Sequence, residues 1–348
     1  MKKPIIQAYF FDLKAYMLIM SNGLILSFKN ENDMKPVNGG YAMIETENLT
    51  RKFGELTAVE NVTLKINKGE VFGFLGPNGA GKTTTVRMLC CLISKTSGKA
   101  RVGDFDIDQE EDRLKIRKIV GYLSGDVGLY ENLSAYKNLE FYGKLYEVPS
   151  ADREENIKRL LQLLGIWERK DDAVAGFSKG MKQKLAIARA LIHEPQLLFL
   201  DEPTANLDPL AAKTVRDFIL ELKKEKRTIF LNTHNLDEAE RVCDRIGVLK
   251  TKLIGTGSPE ELERRVSSRK TVVQLESIDD PVLVAVKKLK TVKKVDASEN
   301  KLIIDIANPE KDNPQLVKTI VAAGGNIQYV TELRSTLEDV YLKLVGEA

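Results

Sequence analysis

The chain has 348 residues, 43% hydrophobic and 30% charged, the balance of a globular protein of about two domains rather than a disordered, collagen-like or disulfide-scaffold chain. Its 53 Lys and Arg against 50 Asp and Glu leave a net charge of +3, which gives no electrostatic case for a nucleic-acid partner. The three cysteines, Cys90, Cys91 and Cys243, lack metal-ligand spacing and read as thiols of a reduced, intracellular protein.

Residues 1 to about 42 lack a clear period and end in the turn-rich stretch from Asn30 to Gly40. Their most apolar part, Ala15 to Phe28, is interrupted by Ser21, Asn22 and Gly23. It is shorter than the roughly 20 residues of a membrane span, and no small-residue cleavage pattern follows it. Two readings stay open. Translation starts at Met43, with Gly39-Gly40 encoded inside a purine-rich ribosome-binding sequence of a prokaryote, or residues 1–42 are a flexible N-terminal extension.

From Met43 the pattern becomes regular. Met43 to Leu49 predicts an edge strand and Ala58 to Ile66 a second strand. Val71 to Leu75 is a short apolar strand, and a helix follows from Lys82 to about Cys91. Val120 to Leu123 is another strand, and residues 130 to 176 are helix-rich. Leu197 to Leu200 predicts a buried strand, Pro209 to Lys224 a helix, Thr228 to Asn232 a strand and Leu236 to Cys243 a helix. Such alternation predicts a parallel sheet covered by helices. Ser258, Pro259 and Glu261 make a capping box with proline at the first helical position. After about residue 270 the order is strand 271–278, helix 280–290, strand 292–297, strand 301–307, helix 314–323, strand 327–334 and helix 337–345. The first six of these follow the split βαβ, ferredoxin-like order, and no chemical motif lies in them.

Gly76-Pro77-Asn78-Gly79-Ala80-Gly81-Lys82-Thr83 fits G-x-x-x-x-G-K-[ST] between an apolar strand and a helical pattern, the context this phosphate loop needs. Its glycines let successive backbone N–H groups turn inward around phosphate oxygens, Lys82 reaches the β- and γ-phosphates, and the Thr83 hydroxyl ligates Mg²⁺. Thr84 belongs to the same nucleotide-binding set, and the helix N-terminus adds positive potential. Downstream, Leu197-Leu-Phe-Leu-Asp201-Glu202 delivers two carboxylates to a strand end, where ligands bind in open α/β sheets. Asp201 is expected to hold Mg²⁺ through its water shell and Glu202 to polarise the attacking water. Together these parts predict nucleoside triphosphate hydrolysis and leave open what it drives.

Just before the acidic strand stands Phe177-Ser178-Lys179-Gly180-Met181-Lys182-Gln183, followed by the helix Leu185 to Leu191. This segment is similar to the signature loop L-S-G-G-Q, and over roughly residues 43–262 the chain resembles the nucleotide-binding subunit of an ATP-binding cassette (ABC) transporter. Ser178 and Gly180 match the loop; Phe177, Lys179 and Met181 depart from it in the S-K-G-M form that resembles drug, sodium and antibiotic exporters. A small hydroxyl, a glycine and a helix N-terminus make an anion site. The resemblance implies that this site closes on the γ-phosphate held by the opposite subunit, so that a homodimer sandwiches two ATP molecules. Asn206-Leu207-Asp208 resembles the D-loop that crosses that interface. Thr233-His234 resembles the switch histidine, whose imidazole contacts the γ-phosphate and orients Glu202 and the water. His193, before Pro195, reads as a surface or turn residue. Phe53 resembles the aromatic that stacks on adenine, the alternative being a core or edge-strand Phe.

One departure concerns the Gln that the family usually carries after the strand at 120–123. Gly125 occupies its position, and the adjacent Asp126 is the candidate oxygen ligand. Gly128 to Ser134 and the helices that follow resemble the helical subdomain that docks a permease, and Ser335 to Leu342 resembles a closing helix.

The resemblance thus implies an α/β P-loop NTPase with a mixed sheet, antiparallel edge strands and a helical subdomain at about 127–190. This domain spans 43–265, with an extension at 1–42 and a small α+β, ferredoxin-like domain at 270–348. It further implies ATP and Mg²⁺, export through a separately encoded transmembrane permease subunit, a peripheral position on the cytoplasmic face of the membrane, and no nucleic acid. The alternative is a soluble cassette ATPase of translation or DNA repair without a permease. Such relatives usually carry two cassettes or a long coiled coil, whereas this chain has one phosphate loop and no sustained heptads. A regulator without turnover fits less well, because Lys82, Glu202 and His234 are all present.

Overall fold

Apolar runs that are buried on both faces decide the centre of the molecule. The computed structural model describes residues 42–125, 128–266, 270–306, 308–333 and 336–347; the expectations for residues 1–41 and for Asp126 fall outside them. Strands β3 (Val71–Leu75), β7 (Leu197–Asp201) and β8 (Thr228–Thr233) are buried at every residue, as parallel strands covered by helices must be. With β6 (Val120–Leu123), β9 (Arg245–Lys250) and the antiparallel edge strand β10 (Lys252–Gly257) they form a six-stranded sheet in the order β10-β9-β3-β8-β7-β6. Register places Leu75 opposite Thr233 and Asp201 opposite Asn232. The phosphate loop, the acidic pair and the switch loop therefore leave the sheet at one edge.

A second, antiparallel sheet covers one flank. Strands β1 (Ala42–Phe53) and β2 (Leu56–Asn67) pair with β4 (Ser97–Val102) and β5 (Phe105–Asp106) in the order β2-β1-β4-β5. Its buried residues, among them Ile44, Val62 and Ile66, join one core with Phe72, Phe74, Phe199 and Phe230. Phe230 lies 5.2 to 5.6 Å from the other three ring centroids, in tilted and edge-on geometries favoured by ring quadrupoles. Helix α1 (Lys82–Leu89) supplies Val86, Met88 and Leu89 to the same core. Helix α2 (Glu110–Ile119) adds Ile116.

The opposite face carries the helical region: α3 (Ala135–Leu145), α4 (Ser150–Leu163) and α5 (Lys179–Leu191), with α6 (Pro209–Lys224) and α7 (Leu236–Val242) against the sheet. Helix α8 (Pro259–Val266) begins in the expected capping box. Glu261 N donates to Ser258 Oγ at 3.2 Å, and Ser258 N donates to Glu261 Oε2 at 3.0 Å.

The C-terminal part has the expected order. Strands β11 (Lys270–Leu275), β12 (Val292–Ser298), β13 (Lys301–Ile306) and β14 (Ile327–Leu333) make an antiparallel sheet ordered β12-β13-β11-β14. Helices α9 (Asp280–Lys287) and α10 (Pro309–Ala322) share its apolar core. Helix α10 starts five residues before the expected 314 because Pro309 suits its first position, while Pro314 sits inside it. The last helix, α11 (Leu337–Glu347), leaves this sheet and packs on α7, α8, β9 and β10, with Leu337 and Val340 buried in the main core.

Candidate functional site

The phosphate loop joins β3 to α1. Gly79 and Gly81 have φ of +84° and +101°, left-handed values that glycine adopts without steric cost. Gly76 and Gly81 are also held by close approach: a Cβ on either would lie 2.3 Å from a backbone oxygen, of Leu249 and Ala58 respectively. Pro77 is half-buried, Asn78 and Gly79 are exposed, Ala80 is buried, and Thr84 is half-buried on the first turn of α1.

Lys82 is 7% exposed. Its Nζ donates to the carbonyl oxygens of Gly76 at 2.5 Å and Pro77 at 3.2 Å. Burial pushes its pKa down, and the charges of Glu202 and Asp201 pull it back up. Thr83 Oγ1 donates to Asp201 Oδ2 at 2.9 Å, while buried Asn232 Nδ2 donates to Asp201 Oδ1 at 3.2 Å. Both carboxylate oxygens are thus fixed by neighbours on separate elements. Thr83 and Asp201 present adjacent hard oxygen donors, the type Mg²⁺ takes alongside phosphate oxygens.

Glu202 follows at the strand end with φ of +52°, strained for a residue with a side chain. Its N–H donates to the Asn232 carbonyl at 2.9 Å. Its Oε2 lies 2.8 Å from His234 Nδ1. The structure therefore brings Lys82, Thr83, Asp201, Glu202 and His234 to one place.

A second cluster lies along α5 and α6. Ser178 caps α5 by accepting from Met181 N at 3.2 Å. A Cβ on Gly180 would lie 2.9 Å from Ala211 Cβ, so glycine permits the contact between the two helices. Asp208 caps α6, its Oδ1 accepting from Leu210 N and Ala211 N at 3.0 and 2.9 Å. Gln183 Nε2 donates to the Pro203 carbonyl at 2.9 Å, tying α5 to the turn after Glu202.

Phe53 ends β1 and is 45% exposed, with the Arg51 guanidinium 4.4 Å from its ring centroid; it is not a core residue. Gly125 is exposed with open space around the position of a Cβ. His193 lies in the turn after α5 but is not a surface residue. It stacks on Tyr146 at 3.8 Å, its Nε2 lies 3.1 Å from the Val120 carbonyl, and burial pushes its pKa down to about 4. Burial also raises the thiol pKa values of all three cysteines, which leaves them poor nucleophiles.

Two residues beside the site were not anticipated. Asn232 ends the expected strand 228–232 and is the penultimate residue of β8, legible only as a strand terminus. Glu238 is fully buried in α7, and its spacing from Asn235 is that of a capping box.

The family described as ABC transporter matches residues 59–205, and the family described as ATP-binding protein DrrA1-3-like, C-terminal domain, matches residues 257–345. The linearmycin resistance ATP-binding protein LnrL of Bacillus subtilis (strain 168) is 34% identical over 309 residues, covering 87% of this chain and 98% of that protein. The bacitracin transport ATP-binding protein BcrA of Bacillus licheniformis is 33% identical, covering 87% of this chain and 97% of that protein. Among solved structures, the dimeric post-hydrolysis state of the ATP-binding cassette MJ0796 bound to ADP and Pi is similar with a TM-score of 0.57 at 26% identity, covering 62% of this chain and 98% of that one.

Proposed function

The chain belongs to the ATP-binding subunits of ABC transporters, and from that premise we propose that it hydrolyses ATP in a nucleotide-sandwich homodimer to power export through a separate membrane subunit. The observation that carries this reading is the 2.8 Å contact between Glu202 and His234 beside the Thr83–Asp201 pair. The N–H groups of Gly79 and of residues 81–84 and the Lys82 ammonium bind the β- and γ-phosphates. Thr83 and Asp201 hold Mg²⁺, which when bound neutralises charge on the phosphate oxygens. Glu202 accepts a hydrogen bond from the attacking water and orients it. With Nδ1 committed to Glu202, His234 Nε2 is the ring nitrogen available to the γ-phosphate.

Ser178, Gly180 and the N-terminus of α5 face the nucleotide of the second subunit in this reading, Asp208 lies at the interface, and Phe53 stacks on adenine. The dimeric state of the MJ0796 cassette supports that arrangement. Among the described residues no helix is long and apolar enough to cross a membrane, which fits a subunit that acts peripherally, at the cytoplasmic face, on a separate permease. Linearmycin resistance and bacitracin transport, in the names of two relatives, favour export of an antibiotic-type cargo.

Glu202→Gln tests the proposal. It keeps the side-chain shape but removes the carboxylate, so turnover should fall by roughly a hundredfold or more. The variant should accumulate as a dimer at saturating Mg-ATP by size-exclusion chromatography. A variant that stays monomeric there, beside an active wild type, would falsify the sandwich.

A further inference from the structure

Helix α7 begins two residues after His234, capped by Asn235, and contains a carboxyl that the reading above does not use. Glu238 is fully buried. No ion pair joins it among the described residues, although an uncompensated buried charge is expensive. The Asn235–Glu238 spacing predicts that Glu238 bonds back to the Asn235 N–H as in a capping box. The structure uses it otherwise. Asn235 N donates to Thr233 Oγ1 at 3.0 Å, and Thr233 Oγ1 donates to Glu238 Oε2 at 2.8 Å. Its other oxygen, Oε1, is buried without a hydrogen-bond partner among the described residues. Burial pushes the Glu238 pKa up, and the Thr233 hydroxyl opposes it. Thr233 immediately precedes His234, whose ring meets Glu202.

We propose that Glu238 is a positioning residue for hydrolysis: it holds the Thr233 hydroxyl at the end of the switch strand and so sets the His234 side of the Glu202–His234 contact. The proposal rests on the hydrolytic reading given above. Glu238 is fully buried and acts through Thr233. Its effect falls on kcat, through the alignment of His234 with Glu202.

The test uses the full chain with Glu238→Ala, Glu238→Gln, Thr233→Val and Glu202→Gln. It measures kcat, KM for Mg-ATP, binding of a fluorescent ATP analogue, and Tm. Glu238→Ala should lower kcat roughly ten- to a hundredfold, the scale of a misplaced reacting group, with KM and binding changed by no more than about twofold. Glu238→Gln keeps an acceptor for the Thr233 hydroxyl and should recover kcat to within roughly threefold of wild type. Thr233→Val should lower kcat several-fold. Wild-type kcat in folded Glu238→Ala overturns the proposal, as does a loss of binding in step with kcat. If Glu238→Ala does not fold, wild-type kcat in Thr233→Val overturns it. These outcomes count against Glu238 alone when Glu202→Gln is inactive. An inactive wild type, or normal turnover in Glu202→Gln, overturns the hydrolytic reading and this role with it.

Discussion

The two halves of the nucleotide machinery are built differently. The phosphate-loop half is internally tied: Lys82 and Asp201 are buried, Asp201 is held from both Thr83 and Asn232, and Glu202 is held against His234. The signature half is an outward helix terminus. Ser178 and Lys179 are exposed, and the first turn of α5 has no acidic residue to offset the positive end of the helix dipole. One half is preorganised within the chain, and in the proposed reading it binds nucleotide alone. The other is an exposed helix N-terminus with Asp208 beside Gly180 and Lys182 paired to Glu131, which the proposed sandwich completes with a second subunit's phosphate.

Lys82→Ala breaks the first half and should have the largest effect. It removes a buried ammonium from the phosphate loop, so ATP binding and turnover should both fall, turnover by roughly a hundred- to thousandfold. The fold should persist, because the Lys82 hydrogen bonds go to loop carbonyls beside solvent-exposed Asn78 and Gly79. Equilibrium ATP binding and far-UV circular dichroism on the same sample check this. Retained ATP binding would mean that the first half is not the nucleotide site.

Gly180→Val sharpens the comparison, because it acts on the second half only. Its Cβ would overlap Ala211 Cβ, and the overpacking should cost about 1–3 kcal/mol while displacing α5 from α6. Turnover should fall about tenfold or more, since each 1.4 kcal/mol of lost alignment is a factor of ten. ATP binding by the monomer should be unchanged. Loss of ATP binding in step with turnover would erase the distinction between the halves.

The same contrast governs how much could be read from sequence. Strands β3, β7 and β8 are buried at every residue and carry short apolar runs, and motif and position placed Lys82, Thr83, Asp201, Glu202 and His234 at or just beyond their ends, where the structure brings them together. Strand β4, Ser97-Gly-Lys-Ala-Arg-Val, buries only Ala100 and Val102 fully, and α2 buries only Ile116, too thin a stripe for either period to show. The β9–β10 hairpin was hidden by its turn, where Thr251 has φ of +64° in place of the usual glycine or asparagine. Asn232 and Glu238 depend on cross-strand register and on a hydrogen bond from the end of β8 into α7, neither of which a linear pattern contains.

The smallest effect concerns how the signature half is fastened to the sheet. At the far end of α5, His193 stacks on Tyr146 beyond α3 and lies against the Val120 carbonyl of β6. Arg159 and Arg227 both pair with Glu194 next to it. Burial lowers the His193 pKa from 6.5 to about 4, against the raising effects of the Val120 hydrogen bond and the Glu194 charge. The folded state therefore binds this proton less readily than the unfolded chain does. The stability that His193 contributes is fully present above its unfolded value of 6.5 and is lost as pH falls toward the folded value of about 4. Between about pH 7 and about pH 5 the loss should be about 2 kcal/mol, at 1.36 kcal/mol per pKa unit. His193→Phe keeps a ring on Tyr146 but cannot titrate, so its urea-unfolding free energy should be flatter over that range by the same amount. An identical pH dependence in the variant would show that the signature half is not fastened at this point. Turnover per folded molecule should stay the same, because the stack lies at the opposite end of α5 from Ser178.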